Sequence, residues 1–129
     1  MIRLATLVLL LSAAVPVTAC AVECNGPPDM GPYVSLDARP WRAAHKQPFT
    51  ACLDTNCRPV SAQQYGGIIQ AGPFTEHPEK PMTLHVTGKG LDARLVVRLV
   101  QVRHDGPCGA YTDWSRQVDL DAQGRLVSA

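Results

Sequence analysis

The sequence predicts an all-β fold, a small antiparallel β-sandwich of immunoglobulin-like architecture that follows a cleaved N-terminal signal helix. Three observations point there. Apolar and polar residues alternate with period two in about seven short runs, the mark of half-buried strands in a sandwich. Turn formers such as Gly88-Lys89-Gly90 and Asp121-Ala122-Gln123-Gly124 fall between the runs. Eleven prolines and ten glycines leave little room for long helices, because each interrupts a helix interior.

The elements follow in order. Val34, Leu36 and Ala38 alternate with Tyr33, Ser35 and Asp37 as a first strand. Arg39 to Lys46 holds one or two helical turns. Phe49, Ala51 and Leu53 alternate again, and the chain returns through Arg58-Pro59-Val60 after a tight turn. A short strand is expected at Gly67 to Ala71. Residues 72–81, with three prolines, read as an exposed loop. Met82, Leu84 and Val86 share one face, with Thr83, His85 and Thr87 on the other. Ala93, Leu95, Val97 and Leu99 do the same opposite Arg94 and Arg98. Beyond Leu99 the phase flips, so that Val100 and Val102 are the apolar positions. A one-residue slip marks a bulge or a strand crossing from one sheet to the other. A helix over 91–102 would align Leu91, Leu95 and Leu99, but valines at 96, 97, 100 and 102 favour strand. Trp114 to Leu120 forms the next strand, and Arg125-Leu126-Val127 follows the last turn.

The first 19 residues read as a leader. Arg3 and the amino terminus make a positive n-region, and Leu4 to Val15 is an apolar h-region too short to span a bilayer. The expected organisation is a signal peptide at 1–19, a tether or linker at 20–32 and a single β-rich domain at 33–129. Without Arg3 the remaining basic and acidic residues balance at 11 each. A neutral domain offers no electrostatic footprint for nucleic acid.

Five cysteines are present, at 20, 24, 52, 57 and 108, an odd number for an exported chain. Using Cys20 for processing leaves an even set of Cys24, Cys52, Cys57 and Cys108. Cys52 and Cys57 flank Leu53-Asp54-Thr55-Asn56, a tight loop whose closure brings them within disulfide reach. That leaves Cys24 for Cys108. The four histidines, at 45, 77, 85 and 104, show no zinc-like spacing with the cysteines, so neither a metal nor a cofactor is expected.

Val17-Thr18-Ala19-Cys20 resembles a bacterial lipobox. That resemblance implies diacylation of Cys20, which becomes the new amino terminus and anchors the chain in a membrane. The competing pattern is Ala19-Cys20-Ala21, an ordinary cleavage site that would free the chain at Val22. The mature region resembles small exported actinobacterial proteins of unknown function. The likeness rests on Val34-Ser35-Leu36-Asp37-Ala38-Arg39-Pro40-Trp41, the Cys52–Cys57 hairpin and Asp105-Gly106-Pro107-Cys108-Gly109. It implies a secreted β domain and no activity.

No nucleophile elbow or phosphate loop is present: Tyr65-Gly66-Gly67 has no following lysine or helix start. His104-Asp105 near Cys108 lacks a separate orienting group. Trp41 and Arg42 are the candidate partner contact, since Trp and Arg are common interface anchors; burial of Trp41 at the open end of the sandwich is the competing role. The function expected is a non-catalytic, membrane-tethered lipoprotein of the cell envelope, binding an unknown protein or envelope ligand. The alternative is a secreted, disulfide-stapled inhibitor or effector domain.

Overall fold

The computed structural model describes residues 31–72 and 76–129. The expected signal helix, the Cys20 and Cys24 positions and most of the expected linker lie outside the described residues. Among those described, nine strands and one short helix pack as two sheets, the sandwich that the alternation predicts.

The first sheet holds β1 (Tyr33–Asp37), β4 (Gly66–Gln70), β7 (Val100–Gly106), β8 (Gly109–Leu120) and β9 (Leu126–Ser128). Its order is β4-β1-β8-β7. β9 lies on the same side of β8 as β7, because β1 and β9 both pair with Val118 and Asp119. The second sheet holds β2 (Phe49–Leu53), β3 (Asn56–Val60), β5 (Met82–Gly88) and β6 (Leu91–Val97), in the order β3-β2-β5-β6. Every pairing is antiparallel except β1 with β8, which is parallel. The helix α1 (Arg39–Arg42) follows β1 at one end of the sandwich.

The core forms where the inward positions of both sheets meet. Val34 and Leu36 of β1, Ile69 of β4 and Val118 and Leu120 of β8 face Ala51, Leu53, Leu84, Val86 and Ala93 of the second sheet. Each fully buried Leu, Ile or Val contributes roughly 1.5–3 kcal/mol of apolar transfer.

The phase slip after Leu99 is a change of sheet. β6 ends at Val97, Leu99 stays buried, and β7 begins at Val100 in the opposite sheet. Val100 and Val102 therefore face outward on the first sheet and not into the core.

The structure differs from the expectation beyond Val102. Residues 104–109 are the end of a β7–β8 hairpin with Pro107-Cys108 as its turn, and β8 starts at Gly109, five residues before the expected Trp114. β8 meets β1 only from Ser115 onward. Residues 101–106 and 109–114 thus pair only with each other, as a two-stranded ribbon projecting past Tyr33. Such a ribbon buries little, so its sequence carries no core alternation to read.

Gly66 makes the β1–β4 pairing possible. It has φ of 141°, and a β-carbon there would sit 1.9 Å from the Leu36 carbonyl oxygen. Only glycine lets the two backbones close at this point.

Candidate functional site

The root of the projecting hairpin gathers titratable side chains on the outer face of the five-stranded sheet. Directly paired residues share a face. The register sets Tyr33 beside Ser115, Ser115 beside Val100, Asp113 beside Val102 and Tyr111 beside His104.

Asp113 is the hub. Its Oδ2 accepts a hydrogen bond of 3.0 Å from the Tyr33 hydroxyl, and its Oδ1 accepts one of 3.0 Å from Ser115 Oγ. The carboxylate side chain is only 7% exposed. His104 Nε2 approaches Oδ2 to 3.0 Å, but off the line of a hydrogen bond, so the enclosed nitrogen has no hydrogen-bond partner among the described residues. The imidazole stacks on Tyr111 with centroids 4.9 Å apart. Burial, reinforced by the bond to Asp113, pushes the Tyr33 phenol above its ordinary pKa.

Serine, histidine and aspartate meet here in an order unsuited to nucleophilic catalysis. Activation requires the imidazole to take the hydroxyl proton while the carboxylate orients the imidazole. Here the hydroxyl proton points at the carboxylate, and the histidine stands on the same oxygen as the tyrosine. The cluster is a patch of polar groups joined through the Asp113 carboxylate. Beside it lies a shallow depression of about 480 Å³, bordered by Ile68, Val100, Val102 and Arg116. Ile68 and Val100 are exposed apolar side chains. A few fixed polar groups beside apolar surface are the makings of a recognition site.

The expected cysteine hairpin is present. Cys52 and Cys57 face each other across β2 and β3 and form a disulfide with an S–S distance of 2.01 Å. Cys108, at the ribbon turn, is also disulfide-bonded; its expected partner Cys24 lies outside the described residues. Disulfides are at home in oxidising compartments.

Trp41 and Arg42 are interior, a correction to their reading as a partner contact. Trp41 is 6% exposed and Arg42 1%. Trp41 packs into the core cluster where α1 closes the end of the sandwich. The Arg42 guanidinium is surrounded by backbone carbonyls. Nε donates to Gln64 at 2.9 Å, and Nη2 to Ser61 at 2.7 Å and Val60 at 3.5 Å. Nη1 donates to Gln47 and, at 3.4 Å, to His45. The guanidinium also lies 4.7 Å from the centroid of the Phe49 ring. Desolvation draws its pKa below the usual guanidinium value. With no carboxylate among those partners, Arg42 uses its donors to pin the loops flanking α1 and β3.

The histidines are dispersed. His45 stacks on Trp41, His77 meets Glu79, His85 meets Asp92 at 2.7 Å, and His104 meets Asp113. Among the described residues no three metal-ligating side chains converge. Arg94 and Arg98 are exposed.

Sequence reasoning overlooked Tyr33, Tyr111, Asp113 and Ser115. Their signal is the odd-numbered polar run 111, 113 and 115 on one strand face, visible only once β8 is known to begin before Trp114.

The chain matches no family model, and it shows no significant similarity to a curated protein or to a solved structure.

Proposed function

We propose that the chain is an exported, membrane-tethered lipoprotein domain that binds an envelope ligand on the outer face of its five-stranded sheet. The observation that carries this reading is the Asp113 cluster. It fixes the part-exposed Tyr33 hydroxyl and His104 imidazole around an enclosed Asp113–Ser115 pair, next to Ile68 and Val100, in an order that favours recognition over proton relay. The lipobox supplies the anchor, through acylated Cys20.

Phase partitioning tests the anchor. The wild-type protein enters the detergent phase and incorporates a labelled fatty acid, and Cys20→Ala does neither. A wild-type chain that starts at Val22 and stays in the aqueous phase defeats the lipoprotein reading. Co-sedimentation of the purified protein with delipidated envelopes tests the surface. Ile68→Asp should reduce it at unchanged melting temperature.

A second reading, a secreted inhibitor, is favoured by the β7–β8 ribbon. It projects from the sheet and carries the bonded Cys108 at its turn, the form of a stapled probe for a partner's cleft. It predicts release into the medium, with binding lost on substitution at Pro107 and not at Ile68.

A further inference from the structure

The opposite end of the sandwich holds a second cavity, of about 510 Å³, within the range of small-ligand pockets. It lies between the segment after α1 and the β5–β6 turn. Trp41, His45, Phe49 and Leu91 supply its apolar lining, and Lys46 and Lys89 its charge.

The floor is preformed. The His45 ring stacks on Trp41 with centroids 3.5 Å apart and planes inclined by 11°. Gly88 lets β5 close against β2, since a β-carbon there would lie 3.0 Å from Phe49 Cβ and 3.3 Å from the Pro48 carbonyl oxygen. The turn itself depends on Gly90, at φ of 69°.

The charge has one sign. No carboxylate lines the cavity. Lys46 Nζ donates to the Arg42 carbonyl oxygen at 2.9 Å, which holds the ammonium at the rim with other protons to give. Among the described residues neither Lys46 nor Lys89 is ion-paired. Two exposed ammonium groups with no ion-pair partner among the described residues, above an aromatic and aliphatic floor, complement a ligand with an anionic head and an apolar body.

The cavity lies at the end of the sandwich opposite the ribbon, since β1 runs away from the ribbon to reach α1. We propose that this cavity binds a small soluble organic anion, a carboxylate on an apolar body. This site is independent of the sheet face described above and does not rest on its role.

Tryptophan fluorescence reads the site directly, because the chain has two tryptophans and Trp114→Phe leaves only Trp41 to report. The purified protein with that substitution is titrated with benzoate, with benzyl alcohol as the neutral analogue and with inorganic phosphate as the anion without an apolar body. Benzoate should give a saturable change. Benzyl alcohol and phosphate should each bind at least about tenfold more weakly, a difference of about 1.4 kcal/mol. Lys46→Gln and Lys89→Gln should each weaken benzoate about three- to tenfold at unchanged melting temperature. Equal affinity for benzyl alcohol would show an apolar hole without anion recognition. Equal affinity for phosphate would show charge without a pocket. No saturation with benzoate, or lysine variants that bind as tightly as the parent, would also overturn the proposal.

Discussion

Gly124 lies against the indole of Trp41. A β-carbon at Gly124 would stand 3.1 Å from Trp41 Cζ3 and 3.3 Å from Leu91 Cδ1, and the residue has φ of 78°. The β8–β9 turn thereby seals the end of the core where α1 docks. Gly124→Ala combines a left-handed backbone with a steric overlap, and should cost about 1–2 kcal/mol. Gly66→Ala meets a backbone carbonyl in place of a side chain, and should cost more, at least about 3 kcal/mol. Urea unfolding of both variants checks the order. Equal stability of the two would mean that β4 shifts freely against β1.

Arg42→Ala should be among the most damaging single changes. It removes the donors to the carbonyls of Val60, Ser61, Gln64 and Gln47 and leaves buried acceptors unpaired, a loss of about 3 kcal/mol or more. Arg42→Lys keeps the charge but not the planar fork of donors, and should recover only part of the loss. Full stability in the lysine variant would show that charge, and not the fork, holds the loops.

The pH profile should have two limbs. Asp121 is held below its usual pKa, first by the Arg125 backbone N–H, and Asp37 is lowered by the side chain and then the backbone N–H of Arg39. A depressed carboxyl stabilises the fold above its unfolded pKa, near 4, and that contribution is lost as pH falls through the lower folded value. Tyr33 works in the other direction. Its raised pKa contributes below about pH 10, and the contribution disappears as pH rises through the folded value. Melting temperature against pH should fall at both extremes. Asp121→Asn should soften the acid limb and Tyr33→Phe the alkaline one, each leaving the other unchanged.

Thiol alkylation without reductant should leave Cys52, Cys57 and Cys108 unmodified. Opening the Cys52–Cys57 bridge by a double alanine substitution should cost about 2 kcal/mol on the loop-entropy account. Peptide mapping under non-reducing conditions checks the partner of Cys108; the expected fragment joins it to Cys24. A bridge from Cys108 to Cys20 would exclude acylation of Cys20 and with it the tether.

Local sequence determined which residues face inward. Val34, Leu36, Ala51, Leu53, Leu84 and Val86 alternate because a strand presents one side to the core and the other to water. The Cys52–Cys57 hairpin was legible for the same reason, since its turn and its pairing lie within a few residues. The slip after Leu99 was legible too, as a bulge or a crossing between sheets, and the structure makes it the crossing. Tertiary structure alone decided the rest. The parallel β1–β8 pairing brings Tyr33 to Asp113 across a separation of 80 residues, and no periodicity encodes which strand will be a neighbour. The ribbon of residues 101–106 and 109–114 went unread because its two faces bury too little to impose a pattern. Arg42 read as a partner contact because Trp and Arg are common interface anchors. It is interior here because carbonyls from two separate segments, 45–47 and 60–64, converge on it, an arrangement that exists only after the chain has folded.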